Sequence, residues 1–557
     1  MKTILRYSLA LTFLSLIISG CGMVSGIIKP ETVTVRIIYG SEKKEWLEPL
    51  VSAFNQGNFK LEDGKVIEVQ AVAMGSIESV NGIIDGTLQP TVWSPASSVY
   101  LPVANAEWKK THTGDLVSGN PNDLVLSPVV IAMWRPMAQA LGWPDKSIGW
   151  SDIAALATSE DGWKAYGHPE WGRFQFGHTH PEYSNSGIVS IIAEAYAGAG
   201  KTHGLSVNDL QTPEIKQFMA AVEKSVIHYG TSTGFFAERM FERGPSYLSA
   251  AVLYENLIVA QETKRLSGDS SQIPVVAIYP REGTFWSNHP YGILNAPWVT
   301  QEQKNAAAIF EDYLLDTSQQ LKALEYGFRP ADPSIPLTAP LDSAHGADVE
   351  QPKTILEVPT ASVIQEIRTL WHATKKPVDV VVVMDISGSM SGDRITSARS
   401  SLMQFVEKLS DRDRLQIMLF SSDIVTLTPL TELSNKRQTV LDSVAGIYEQ
   451  GDTRLYDATL TAYQELSRNG DPDHIRAIVI LTDGQDTKSE NGLEDLINYI
   501  AVDSGEGGRA IKIFTIAFGD NADKDILIRI AEPTGGKQYD STPESIRNIY
   551  NEIATFF

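Results

Sequence analysis

Seven residues at 378–384, Val-Asp-Val-Val-Val-Val-Met, form a nearly continuous apolar run that stops at Asp385. Such a run suits a central parallel strand buried on both faces. A parallel neighbour can be reached only through a crossover of a dozen or more residues, and the following sequence supplies them. Apolar periodicity predicts a helix over 394–409, a strand over 414–420, helices over 436–445 and 455–467, and a second buried strand over 477–481. A helix near 493–502, a strand over 511–518, a helix over 523–531 and a last helix from Pro543 complete the alternation. Strands alternating with helices imply an α/β, doubly wound, Rossmann-like sheet, in which ligands bind beyond the carboxyl ends of the strands.

Two of those strand ends carry Asp385 and Asp483. Ser387 and Ser389 follow the first, and a separate loop brings Gly451-Asp452-Thr453 to the start of a helix. Two carboxylates and three hydroxyls suit a hard divalent cation such as Mg²⁺, which takes six oxygens and keeps several waters. Two plainer readings stay open: serines capping a tight strand-to-helix turn, and a site that only stiffens its loops. A phosphatase on a similar fold would want a second aspartate at the place of Ser387, so covalent phosphoryl transfer lacks its acid. Asp-x-Ser-x-Ser, then Thr, then Thr-Asp-Gly resembles the metal-ion-dependent adhesion site of the von Willebrand factor A (VWA) domain family, over about 378–557. The resemblance implies that Ser387, Ser389 and Thr453 coordinate Mg²⁺, or another divalent ion such as Ca²⁺ or Mn²⁺, directly, while Asp385 and Asp483 hold its waters. It also implies that the sixth position is left for an acidic side chain of a protein partner.

The region before Pro377 has another texture, with short strands and helices and all 11 tryptophans. Its stretches Tyr39-Gly40-Ser41-Glu42, Met74-Gly75-Ser76, Tyr183-Ser184-Asn185-Ser186-Gly187 and Leu253-Tyr254-Glu255-Asn256 resemble the extracellular solute-binding proteins of ABC import systems. That family's architecture, periplasmic-binding-protein-like of type II, implies two α/β lobes closing on a small solute. Serines and free N–H groups at helix N-termini suit an anionic or carbonyl-bearing ligand, which makes Ser41, Ser76 and Ser186 the candidate cleft residues, with Tyr254 closing it. Glu255 beside them argues against a simple anion pocket, and helix capping in a cleft that has lost its ligand is the competing reading.

The first 20 residues read as an export signal, with Lys2 and Arg6 before an apolar run too short to span a bilayer. Leu16 to Cys21 resembles the bacterial lipobox, which implies acylation of Cys21, the sole cysteine, and a lipid anchor at the extracytoplasmic face of the cell membrane. One thiol excludes internal disulfides and cysteine-based metal clusters. A formal charge of −22, from 46 basic and 68 acidic side chains, disfavours nucleic acid.

The expected organisation is a signal peptide at 1–20, a lipidated tether at 21–31, a solute-binding-like domain at 32–374 and a VWA domain at 375–557. Five prolines between 331 and 360 mark a wrap or linker, followed by a short amphipathic helix at 362–371.

Two other motifs carry less. Residues 195–202 satisfy the loose P-loop pattern, but they end an expected helix rather than follow a strand. His178, His180 and Glu182 imitate a metal triad, yet Pro181 puts them in a loop, where packing outweighs zinc binding. No Gly-x-Ser-x-Gly elbow offers a nucleophile. The chain therefore reads as a binding protein, not an enzyme. Its expected work is metal-dependent protein recognition, the alternative being the substrate-binding component of an ABC-type importer with the VWA domain as accessory.

Overall fold

The computed structural model describes residues 31–268, 271–504, 511–519, 521–534, 536–554 and 556. The expected leader and Cys21 lie outside the described residues.

Three sheets organise the chain. In the first, Val66–Met74, Thr32–Gly40 and Val92–Ser94 run parallel in that order, and Gly292–Ile293 pairs antiparallel with Val92–Ser94. In the second, Val226–Gly230, Phe176–Thr179 and Ala250–Tyr254 are parallel, and Val125–Trp134 pairs antiparallel with Ala250–Tyr254. Both sheets thus place the second strand of each lobe at the edge, then the first, then the third, then a strand that arrives from the other lobe. The expected two-lobed α/β architecture is present, and the chain crosses between the lobes at Val125–Trp134 and before Gly292–Ile293.

The segment 331–360 is a wrap. Ile335, Leu341, Ala347 and Leu356 are buried, and Leu356 N donates to Thr284 O at 2.8 Å while Ala277 N donates to Gly346 O at 2.9 Å. Its prolines oppose longer elements; apart from the 3-10 turn Ser343–His345 it is held by side-chain burial and a few backbone bonds. The helix that follows runs Ala361–Thr374 and buries Val363, Ile364, Ile367 and Trp371. The P-loop-like stretch falls at the end of the helix Asn185–Ala199, which stops at Gly200 in the left-handed region, φ 61°, as expected for a C-terminal stop.

The third sheet has the order Ile424–Glu432, Arg414–Phe420, Val378–Asp385, Ile475–Thr482, Lys512–Phe518, Gln538–Ser541. Val378–Asp385 is buried at every position, as its apolar run requires. Ile424–Glu432 is antiparallel to its neighbour, an edge strand that the strand–helix alternation of the sequence does not reveal. Pro429 and the threonines interleaved with its apolar residues conceal it, and a proline is tolerated there because an edge strand needs only half its N–H groups. Gln538–Ser541 is a second unexpected edge strand, and the last helix begins at Ile546. This third unit meets the second lobe through Tyr229 N donating to Phe556 O at 3.3 Å and through Lys512 Nζ lying 5.2 Å from the Tyr247 ring centroid.

Candidate functional site

Asp385 is the last residue of the central strand and is fully buried. Its Oδ1 accepts from Ser387 N at 2.8 Å and its Oδ2 from Thr482 Oγ1 at 2.6 Å. Burial pushes its carboxyl up to about 6 against those hydrogen bonds, and the Asp483 charge adds to the rise. Asp483 follows the strand Ile475–Thr482 and is also fully buried. It accepts from Ser389 Oγ at 2.7 Å, and Ser389 Oγ lies 3.0 Å from Ser387 Oγ.

The loop that carries Thr453 is tied to this turn by Gly388 N donating to Gly451 O at 3.0 Å. Gly451 has φ 78°, a left-handed conformation that favours glycine. Asp486 Oδ1 accepts from Leu455 N at 2.7 Å and Asp457 Oδ2 from Glu490 N at 2.8 Å, which fixes the start of the helix Leu455–Asn469 against the loop after Asp483. A Cβ placed on Gly484 would lie 3.6 Å from Thr453 Oγ1 and 3.9 Å from Ser389 Oγ. All five expected residues therefore meet in one cluster whose donors are all oxygens, and Ser389 is exposed at its mouth. That chemistry fits a hard divalent cation. Sequence reasoning missed Arg394, which donates to Asp483 Oδ2 at 2.5 Å and to Ser389 O at 3.3 Å. It stands in the first turn of the helix Asp393–Lys408, five residues beyond the motif serine.

In the N-terminal region, Ser41, Ser186 and Tyr254 gather where the lobes meet, and all are buried. Ser41 Oγ donates to Ser232 Oγ at 2.9 Å and accepts from Gly234 N at 3.1 Å, joining the first lobe to the second. Ser186 Oγ lies 2.6 Å from Thr179 Oγ1 and accepts from Thr233 Oγ1 at 2.8 Å. Tyr254 Oη accepts from Asn185 Nδ2 at 3.0 Å. Ser76 points elsewhere, accepting from Ala96 N at 3.0 Å inside the first lobe. The N-terminus of its helix, Ser76–Ile84, is taken by the second lobe: Ile77 N and Glu78 N donate to Tyr183 O at 3.0 and 2.9 Å.

The donors suited to an oxyanion are thus already paired, Ser41 and the N–H groups of Ile77 and Glu78 across the lobes and Ser76 and Ser186 within their own. Four buried atoms nearby have no hydrogen-bond partner among the described residues: Asn185 Oδ1, Asn256 Oδ1, Ser287 Oγ and His289 Nε2. Glu42 pairs with Lys43 at 3.0 Å. Although burial raises its pKa, Lys43 and His289 hold its carboxyl down to about 2. Glu255 is neutralised by Arg329 through contacts of 2.8 and 2.7 Å.

His178, His180 and Glu182 do not converge. Glu182 pairs with Arg368 and His372, each at 2.9 Å, while His180 packs edge-on against Trp371 at 4.9 Å between centroids. Among the described residues no helix is long and apolar enough to cross a membrane.

A family model described as bacterial extracellular solute-binding protein matches residues 35–329, and one described as von Willebrand factor type A domain matches residues 379–552. Human inter-alpha-trypsin inhibitor heavy chain H4 is 30% identical over 197 residues, 32% of this chain and 20% of that protein. The chain spans about a fifth of the length of the inter-alpha-trypsin inhibitor heavy chains it matches. An uncharacterized protein of Mycobacterium tuberculosis is 23% identical over 533 residues, 90% of this chain and 73% of that protein. Among solved structures, a periplasmic thiamin binding protein matches with TM-score 0.44 and 12% identity over 63% of this chain and 98% of its own. A von Willebrand factor type A protein from Catenulispora acidiphila matches with TM-score 0.29 and 19% identity over 32% of this chain and 42% of its own.

Proposed function

Because this chain belongs to the bacterial extracellular solute-binding proteins and carries a von Willebrand factor type A domain behind that region, we propose that it works outside the cytoplasm as a binding protein that grips a protein partner through a divalent cation. The observation that supports this reading is the convergence of Asp385, Ser387, Ser389, Thr453 and Asp483 on one all-oxygen cluster open at Ser389. Ser387, Ser389 and Thr453 offer direct ligands, and the two buried carboxylates offset the dication and hold its waters. A partner's Asp or Glu side chain completes the shell. Mg²⁺ fits the donor set best, with Mn²⁺ and Ca²⁺ as alternatives. In this reading an acylated Cys21 holds the protein at the membrane, residues 32–374 form the solute-binding-like unit and 375–557 the adhesion unit.

The test is retention of the full chain on arrays of peptides with and without a central Asp or Glu. Retention by acidic peptides in Mg²⁺, lost on chelation and in Asp385→Ala, supports the reading; retention indifferent to both overturns it.

A second reading, solute capture for an importer, is favoured by the unpartnered Asn185 Oδ1, Asn256 Oδ1, Ser287 Oγ and His289 Nε2 at the lobe junction. Buried polar atoms of this kind call for partners, and the two amide oxygens only accept. The solute this arrangement suits therefore brings N–H or O–H donors, unlike the oxyanion suggested by the serines. Thermal shifts with polyols and amines but not with phosphate or sulfate are the expected outcome.

A further inference from the structure

Three more metal-ligating side chains meet in the core of the second lobe, away from both sites above. His178 comes from the strand Phe176–Thr179, Glu194 from the middle of the helix Asn185–Ala199 and Glu223 from the end of the helix Pro213–Glu223. All three are 0% exposed. One imidazole nitrogen and one oxygen from each carboxylate lie within 4.8 Å of one another.

The surroundings orient the ring and one carboxylate. His178 Nδ1 lies 2.8 Å from Thr179 O, a contact that requires a proton on Nδ1. Nε2 is thereby turned toward Glu223 Oε1, 3.0 Å away, and is the nitrogen free to ligate a metal in place of its proton. Tyr229 Oη donates to Glu223 Oε2 at 2.6 Å and Trp371 Nε1 to Glu223 Oε1 at 2.9 Å. Glu194 is different: neither of its carboxylate oxygens has a hydrogen-bond partner among the described residues. A buried carboxylate with no partner is costly, and burial together with the Glu223 charge pushes the Glu194 carboxyl well up.

We propose that His178 Nε2, Glu194 and Glu223 hold a divalent transition-metal ion, for which zinc is the probe. A dication offsets the two carboxylates, takes the place of the proton between Nε2 and Glu223 Oε1, and gives Glu194 its missing partner. One imidazole and two carboxylates form a nitrogen–oxygen set suited to Zn²⁺. The outer contacts have the form seen around such sites: the second imidazole nitrogen donates to a backbone carbonyl, and a ligating carboxylate accepts from neighbouring donors. No residue is shared with the C-terminal cluster. Trp371 belongs to the helix Ala361–Thr374 that leads into the third sheet, so the ion would steady the connection between the two parts of the chain.

The experiment uses the full chain carrying Asp385→Ala, which removes the C-terminal cluster from the count, produced in zinc-supplemented medium. Elemental analysis is expected to find about one zinc per chain, and diffraction at the zinc edge an anomalous peak between His178, Glu194 and Glu223. Adding Glu194→Gln is expected to lower zinc content about tenfold or more. A folded Asp385→Ala chain without zinc overturns the proposal, as does zinc content unchanged by Glu194→Gln. Where the double variant fails to fold, the anomalous map of the Asp385→Ala chain decides alone.

Discussion

Arg394 donates to Asp483 across 2.5 Å, setting a guanidinium, 31% exposed, against a carboxylate that is not exposed at all. A cation that recruits Asp483 to hold its waters competes with that guanidinium. Arg394→Gln is expected to tighten Mg²⁺ binding by about 1 kcal/mol, roughly fivefold. Isothermal calorimetry on the full chain measures it, and weaker binding would mean that Arg394 orients Asp483 instead.

Asp385→Asn separates cation binding from folding. Asp385 is buried beside a second buried carboxylate, and its raised pKa reflects both. The neutral amide keeps the shape and removes the charge, so the variant is expected to melt no lower than the native chain in chelator. Mg²⁺ at about 100 times its dissociation constant should stabilise the native chain by about 2.7 kcal/mol and the variant not at all, by differential scanning fluorimetry.

Gly75 marks the lock between the lobes. A Cβ there would lie 2.5 Å from Tyr183 O and 2.9 Å from Thr231 O, both backbone atoms of the second lobe. Gly75→Ala is expected to part the lobes and cost about 1–3 kcal/mol. A larger radius of gyration in solution scattering, together with a lower melting temperature, is the expected pair of results.

Acid should weaken the N-terminal region in two windows. Burial and the Lys43 ammonium lower His289 from 6.5 to about 4, and burial lowers His180 and His228 in the same direction. Their neutral forms are favoured in the fold, so the stability they confer is present above pH 6.5 and is lost as pH falls toward 4. Glu42, held down to about 2, contributes stability above pH 4.5 that is lost below it. Melting temperature is expected to be level from pH 7 to 8 and to decline below 6.5, and His289→Gln to flatten the first decline.

What could be read in the sequence followed the range of each signal. Val378–Asp385 was legible because a strand buried on both faces writes its burial into consecutive side chains, and Asp385, Ser387 and Ser389 were legible because their spacing is local. Arg394 was not, since an arginine in a first helical turn is unremarked until Asp483 is placed beside it. Glu194 and Glu223 lie 16 and 45 residues from His178, on separate helices, with nothing in spacing to link them. The lock on the first lobe was hidden for another reason: its acceptor is the Tyr183 carbonyl, and a backbone atom carries no residue identity. The same limit explains why Ser41 and Ser76 looked alike, though only Ser41 reaches across to the other lobe.

The direction of the central strand has a mechanical meaning. The chain enters it at Val378, next to the end of the helix Ala361–Thr374, where Arg412 donates to Ala373 O at 2.6 Å. Seven residues later it delivers Asp385, about 23 Å further on at about 3.3 Å per residue. A pull exerted by something held at Asp385, with the chain tethered at its amino end, would run along this strand. The strand is in register with Arg414–Phe420 over seven residue pairs and with Ile475–Thr482 over seven more. Loaded lengthwise, those ladders resist in shear, sharing the force instead of unzipping bond by bond, so the buried strand that carries the aspartate is also the part best placed to bear tension.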